Sequence, residues 1–154
     1  MLEAANARED ASGCRHRLLW VRGVADRLPA GTSTADLVVA HGVWNLARSG
    51  DEFRRALREG ARVARPGAGL FVFTFSRNTL PADVSPVSGE SFVFTQFSGE
   101  PQCFLTESQL VEELELAGFE REVAGPLTEY NRPNGRVVAA TGPVIYEGTF
   151  RRRP

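Results

Sequence analysis

Residues 36–75, which begin with DLVVA at Asp36 and end with LFVFTF at Phe75, decide the fold. Residues 37–40 and 70–75 are continuous apolar runs, a pattern typical of strands covered on both faces. Between them, Ser49 stands three residues before Glu52, a spacing that caps the start of a helix, and Pro66-Gly67 is expected to end that helix. Strand, helix and strand in this order predict a right-handed βαβ unit with parallel strands. The apolar face of the helix consists of Phe53, Ala56, Leu57, Gly60, Ala61 and Ala64.

Weaker signals on both sides extend this unit into one domain. Residues 1–8 favour a helix, and residues 18–21 favour a strand. Thr106 and Gln109 form a second capping box, whose helix ends at Gly118. Strands are expected near residues 121–130 and 137–150, with a hairpin turn at Asn134-Gly135. The sequence thus predicts a single, incomplete α/β domain over residues 1–154. Its sheet would be mostly parallel with a C-terminal antiparallel hairpin, and residues 78–104 would form a long loop or lid.

Composition argues against several classes of function. The net charge of −1 gives no reason to expect a nucleic acid partner, and no apolar run approaches the roughly 18 residues of a membrane span. The two cysteines form no CxxC pair, and His16 and His41 have no partners at metal-ligand spacing, so no metal is expected. There is no lysine for Schiff-base chemistry and no GxSxG nucleophile motif. We expect a cytoplasmic protein without a membrane partner and with a solvated C-terminal Arg151–Arg153.

The ends of the predicted strands are the best candidates for a binding site. In open parallel sheets, ligands bind beyond the carboxyl ends of the strands. Those ends here are Gly23–Ala25, His41–Trp44 and Ser76-Arg77, and each is short, polar or glycine-containing.

Four stretches in order resemble class I S-adenosylmethionine-dependent methyltransferases. Residues 19–29 resemble the strand and GDA-type loop of that family, and Ala35–Ala40 resembles its F/A-D-L-V strand. Residues 59–75 resemble the family pattern E-x-x-R-V-x-x-P-G-G and the strand that follows it, with Ala68 at the position of the second glycine. Met1–Ala5 resembles the helix motif M-L-E-x-A. No single motif is decisive, but their order and spacing cover nearly the whole chain.

The resemblance implies a Rossmann-like fold, S-adenosylmethionine as cofactor and a small-molecule methyl acceptor. It implies cofactor contacts by Gly23, Val24, Ala25, Asp26, His41, Gly42 and Trp44. His41 would orient the substrate or act as a general base, or would instead shape its loop through hydrogen bonds. Trp44 would stack on the adenine or the substrate, or would pack over the helix. Ser76, Arg77 and Phe94 are the substrate candidates. Arg77 could also be a surface charge, and Phe92, Phe94 and Phe97 could form an extra strand, which their alternation favours.

The sequence departs from the family pattern in two respects. The first strand, the GxGxG loop and the ribose-holding acidic residue match nothing in the chain and would precede Met1. The adenine-contacting acidic position holds Val24, and Asp26 lies two positions further on. We therefore expect a truncated methyltransferase that does not turn over by itself. Its strand at Leu37 would be an exposed edge, open to self-association.

Two other interpretations remain open at this point. The chain could be a degenerate fragment that acts only as a binding or interaction module. It could also be another nucleotide-binding α/β protein, such as a reductase that lacks its fingerprint.

Overall fold

The computed structural model describes residues 19–132 and 142–154. The helix predicted at residues 1–8, the motif Met1–Ala5 and the turn at Asn134-Gly135 lie outside the described residues.

The predicted βαβ unit is present and organises the described part of the chain. Strand β1 (Ala35–His41) is followed by helix α1 (Gly50–Val63) and strand β2 (Ala64–Phe75), and the two strands pair in parallel. The Ser49 hydroxyl accepts a hydrogen bond from the Glu52 backbone N–H at 3.1 Å, as the capping pattern predicts. The Glu52 carboxylate, however, accepts from the Arg48 N–H at 2.7 Å and not from Ser49.

The predicted helix stop at Pro66-Gly67 is wrong. Helix α1 ends at Val63, and Ala64 already pairs with Ala35 as the first residue of β2. The register then shifts between Ala35 and Leu37, so that Leu37 pairs with Gly69. Pro66 and Gly67 are exposed within this irregular stretch, where Gly67 has a φ of 79° that suits glycine.

Three more strands, β5 (Phe119–Arg121), β6 (Thr128–Tyr130) and β7 (Ile145–Arg152), complete the central sheet. Its order is β1-β2-β7-β5, with β6 also paired to β7. These three strands come from the two predicted C-terminal segments. Strand β7 runs antiparallel to β2, β5 and β6, so the predicted mixed α/β class and the C-terminal antiparallel hairpin are confirmed. A separate pair of short strands, β3 (Val93–Phe94) and β4 (Gln102–Cys103), lies in the long segment before helix α2 (Glu107–Leu116).

The predicted strand at residues 18–21 is not formed over the described residues 19–21. Leu19 is 87% exposed, and β1 has no second strand beside it among the described residues. Strand β1 is therefore an edge in the described structure, as expected.

One face of β1 remains uncovered in the described part of the protein. Leu37 and Val39 are 60% and 57% exposed, whereas Ala40 is buried and Val38 packs against the core. The expectation that this strand is covered on both faces is therefore wrong for residues 19–132 and 142–154.

Both helices pack on the same face of the sheet and form the main core with it. The capping box of Thr106 and Gln109 is confirmed at the start of α2. Arg152 is not part of a solvated end, because β7 includes it and its guanidinium donates to the carbonyls of Ala61 and Gly118. Large side chains in this core include Phe53, Leu57, Leu70, Val72, Leu110, Leu114, Phe119 and Phe150.

Candidate functional site

Two cavities adjoin the loop Gly23–Asp26, at the carboxyl end of β1. One has a volume of about 630 Å³ and the other about 350 Å³. The larger extends along Val38–Ala40 of β1, and the smaller extends towards Asp26 and Glu52. Residues that line both cavities are Val24, Ala25, Val43, Trp44 and Ala56.

Trp44 is the shared aromatic wall of the two cavities. It lies in a short 3-10 helix, Trp44–Leu46, and only 5% of it is exposed. It packs over α1, as the alternative interpretation predicted. The contact is close: a Cβ added to Gly60 would lie 3.2 Å from Cζ2 of the indole. The glycine thus lets the indole lie directly on the helix backbone, where it also faces the cavities.

Glu59 and Arg62 of α1 fix the chain that borders the larger cavity. Glu59 accepts from the Leu28 N–H at 2.7 Å, and Arg62 donates to the carbonyls of Leu28 and Ala30 at 3.3 Å and 2.8 Å. The two side chains also form an ion pair at 2.7 Å, in which Glu59 is only 12% exposed. The hydrogen bond from Arg62 lowers the pKa of the Glu59 carboxyl, burial opposes this, and the Leu28 N–H lowers the pKa further.

We expect this anchor to weaken in acid. Because the folded-state pKa of Glu59 is lowered, its contribution is complete above the ordinary glutamate pKa of about 4.3. The contribution is lost as the pH falls through the folded-state pKa. Hydrogen exchange of the Leu28 amide should therefore accelerate, relative to the core amides, as the pH falls below that range. In Glu59→Gln this acid dependence should disappear, and an unchanged dependence in that variant would contradict the assignment.

His41 and Gly42 lie beside the cavities but do not line either of them. His41 ends β1, is exposed, and stacks on Phe73 with ring centroids 4.1 Å apart. Gly42 has a φ of 66° and donates its N–H to the Phe73 carbonyl at 2.8 Å, so it turns the chain away from the sheet. Their assignment to the cofactor or to catalysis stays a prediction.

The predicted substrate residues form a second group at the end of β2. Ser76 is fully buried, and its hydroxyl donates to the Glu129 carboxylate at 2.8 Å. Arg77 donates to the carbonyls of Leu80, Pro81, Ala82 and Val84 and lies over the Phe94 ring at 4.8 Å. These contacts occupy the Arg77 guanidinium within the protein. Neither cavity is lined by this group, so the structure does not bring it together with the loop Gly23–Asp26.

Part of the segment 78–104 is packed as a small second core. Leu80, Phe94 and Phe104 are buried together, with Phe75 and Val84 packed against them. Phe92, Val93 and Phe94 are all buried in succession, while Phe97 is 46% exposed. The extra strand favoured for the phenylalanines therefore exists, but it is two residues long and both of its sides are covered. A lid movement of this segment stays a prediction.

Sequence reasoning missed the contribution of α1 to the site. The sequence pattern assigns Glu52 only a capping role, and it places Glu59 and Arg62 only in the E-x-x-R pattern. Their spacing of three residues places Glu59 and Arg62 on one side of the helix, which was the available signal. What they bind, the loop at Leu28, is 31 residues from Glu59 and could not be read from local pattern.

The described residues were also compared with the requirements of a metal site and of a membrane-spanning helix. Within residues 19–132 and 142–154, no three His, Cys, Asp or Glu side chains come together as metal ligands would. In the same part of the chain, no helix has the length and apolar character that crossing a membrane requires.

Known proteins share both the sequence pattern and the fold. A family model described as a methyltransferase domain matches residues 1–73. The ubiquinone/menaquinone biosynthesis C-methyltransferase of Cereibacter sphaeroides is 38% identical over 78 residues, which cover 50% of this chain and 30% of that protein. The demethylmenaquinone methyltransferase of Mycolicibacterium gilvum is 30% identical over 125 residues, which cover 71% of this chain and 53% of that protein. The chain thus spans about half, or less, of these curated relatives.

Solved structures share the fold at low sequence identity. The 1,6-didemethyltoxoflavin-N1-methyltransferase of Burkholderia thailandensis, with bound 1,6-didemethyltoxoflavin and S-adenosylhomocysteine, gives a TM-score of 0.66 at 19% identity. That similarity covers 94% of this chain and 55% of the other. The cyclase SpnF gives a TM-score of 0.68 at 20% identity, covering 97% and 61%.

Proposed function

We propose that this chain, which belongs to the class I S-adenosylmethionine-dependent methyltransferase family, provides the adenine side of an S-adenosylmethionine site. The activity that we assign to the protein is methyl transfer to a small-molecule acceptor.

The shape and chemistry of the two cavities support this proposal. A purine is flat and apolar on its faces and polar at its edge, and such ligands bind in largely apolar clefts with a few placed polar groups. The indole of Trp44 and the side chains of Val24 and Ala56 provide apolar walls, and Asp26 and Glu52 provide a polar edge. The backbone of Val24 and Ala25 would hold the adenine where the family uses its GDA-type loop.

Methyl transfer requires little chemistry from the protein's own side chains. The cofactor, when bound, supplies a methyl group that is already activated on a sulfonium. Alignment of the acceptor then accounts for most of the rate effect. His41 is the proposed general base, because it is exposed at the carboxyl end of β1 and its ring is held by stacking on Phe73.

The acceptor is proposed by analogy with the curated relatives alone. Their names refer to ubiquinone and menaquinone biosynthesis and to demethylmenaquinone. Demethylmenaquinone, in its oxidised and its reduced form, is therefore the first acceptor to assay, with methylated product as the measured quantity.

A second candidate function is a binding module without turnover. It is favoured by the edge position of β1, whose backbone could pair with another chain or with a second copy, and by the exposed side chains of Leu37 and Val39 on one face of that strand. The likeness to SpnF, named as a cyclase, shows that this fold is not tied to one reaction.

The proposal is tested by calorimetric titration of the 154-residue chain with S-adenosylhomocysteine. No stretch of the chain reads GxGxG, the loop that holds the amino acid end of the cofactor in the family. We therefore expect weak binding, with a dissociation constant of about 100 µM or more. Extending the chain at its N-terminus with a segment that supplies a GxGxG loop should tighten it.

Two outcomes would contradict these expectations. A dissociation constant near 1 µM for the 154-residue chain would overturn the claim that it cannot hold the cofactor tightly by itself. An extended chain that still fails to bind S-adenosylhomocysteine, while remaining folded, would favour the binding module instead.

A further inference from the structure

The smaller cavity contains two carboxylates whose surroundings differ. Val24 occupies the position at which the family resemblance places an acidic residue against the adenine, so this contact must be made by another residue or be lost. Asp26 and Glu52 both line the cavity of about 350 Å³, which the indole of Trp44 also lines.

Asp26 is neutralised by an arginine on the neighbouring helix. Its Oδ2 accepts a hydrogen bond from Nε of Arg55 at 3.2 Å, and the two side chains form an ion pair. A carboxylate engaged in this way is a poorer acceptor for a ligand, because the arginine already satisfies part of its charge.

Glu52 is oriented by the protein but keeps one oxygen free. Its Oε2 accepts from the Arg48 N–H at 2.7 Å. Its Oε1 makes no hydrogen bond, and its carboxylate makes no ion pair, within residues 19–132 and 142–154. The single hydrogen bond fixes one end of the carboxylate, so little rotamer freedom remains to be lost when a ligand binds to the other end.

A carboxylate oxygen can only accept hydrogen bonds, and the edge of adenine offers a donor in its 6-amino group. We propose that the Glu52 carboxylate accepts a hydrogen bond from this amino group and thereby selects adenine over purines that lack it. This inference rests on the proposed function, because it assumes that the purine ring occupies the smaller cavity against Trp44. In the family, an acidic residue of the loop contacts the adenine, but this chain has Val24 at that position. The proposal assigns the contact to Glu52 of α1 instead.

The test compares adenosine with purine riboside, which lacks only the 6-amino group. Both nucleosides are titrated into the full 154-residue chain, and dissociation constants are taken from amide chemical shifts. We expect the wild-type chain to bind adenosine about ten-fold more tightly than purine riboside, since a hydrogen bond to a charged group is worth at least this factor. In Glu52→Ala this preference should disappear, and in Glu52→Gln, which retains an acceptor oxygen, part of it should remain.

Asp51→Ala is the matched control for Glu52→Ala. It removes the same charge from the same turn of α1, but Asp51 does not line the cavity and its side chain is 85% exposed. Its preference for adenosine should equal that of the wild-type chain. Thermal unfolding of each variant establishes that the fold is retained, and Glu52→Gln keeps the test valid if Glu52→Ala unfolds.

The possible failures of the two proposals can be told apart. If adenosine binds but Glu52→Ala and Glu52→Gln keep the wild-type preference, the role of Glu52 is overturned and the purine site stands. If Asp51→Ala loses the preference for adenosine as fully as Glu52→Ala does, the preference depends on the overall charge. That result would also overturn the role of Glu52. If the wild-type chain binds neither nucleoside, both proposals fail at this cavity.

Discussion

Trp44→Ala should lower the free energy of unfolding by about 3–5 kcal/mol and abolish adenosine binding. The indole is 5% exposed and lies on the backbone of α1 at Gly60, so its removal opens a cavity that the helix cannot close by a small shift. The same ring is the wall shared by both cavities, so the purine would lose its stacking surface in the same step. Urea unfolding followed by circular dichroism measures the first effect, and nucleoside titration measures the second.

Trp44→Phe tests whether an aromatic ring at this position is enough for stability and for purine binding. It keeps an aromatic ring in the same place, so the loss of stability should be smaller, and adenosine binding should weaken without disappearing. A loss of less than about 1 kcal/mol in Trp44→Ala would show that the site is not packed as described.

Arg54→Ala should destabilise the protein by about 3 kcal/mol, because it leaves a buried carboxylate without its partner. Nε of Arg54 donates to both oxygens of Glu113 at 3.0 Å, and Nη2 donates to Oε1 at 2.7 Å. Glu113 is only 8% exposed, and the pair connects α1 to α2 across the core. Arg54 also lies over the ring of Phe92 at 5.5 Å, a contact that the substitution removes.

Arg55→Ala is the control, since it removes an arginine from the adjacent position. Arg55 is half-exposed and its pair with Asp26 lies at the surface, so its loss should cost about 0–1 kcal/mol. The double variant Arg54→Met with Glu113→Leu should recover most of the stability lost in Arg54→Ala, because it leaves no buried charge. If Arg54→Ala and Arg55→Ala unfold at the same urea concentration, the buried pair does not hold the two helices together.

Local pattern was sufficient where neighbouring residues in the chain make the structure. Ser49 and Thr106 cap their helices as their sequence contexts predicted, because the capped N–H groups lie within three residues. The apolar runs at residues 37–40 and 70–75 became parallel strands. The prediction that Pro66-Gly67 ends the helix is wrong because proline and glycine are as compatible with an irregular strand as with a helix stop. Only the pairing of Ala35 with Ala64 decided between the two.

The candidate site was predicted in part, and in two pieces. Gly23–Asp26 and Trp44 come together around the cavities, as strand ends of one sheet should. Arg77 was selected as a substrate contact from its position after β2, but its donors are used by carbonyls within its own segment. A sequence shows that a charge is available, but not which acceptors lie close to it.

The sequence alone determined the βαβ unit from Asp36 to Phe75 and the family resemblance, since both depend on the order and spacing of residues along the chain. Tertiary structure alone decided which carboxylate in the smaller cavity forms an ion pair within the described residues and which does not. Glu52 and Asp26 are 26 residues apart, and Arg55, which pairs with Asp26, lies one helical turn beyond Glu52. Charge pairing depends on distances of a few ångströms in space, and only the packing of the loop Gly23–Asp26 against α1 sets those distances.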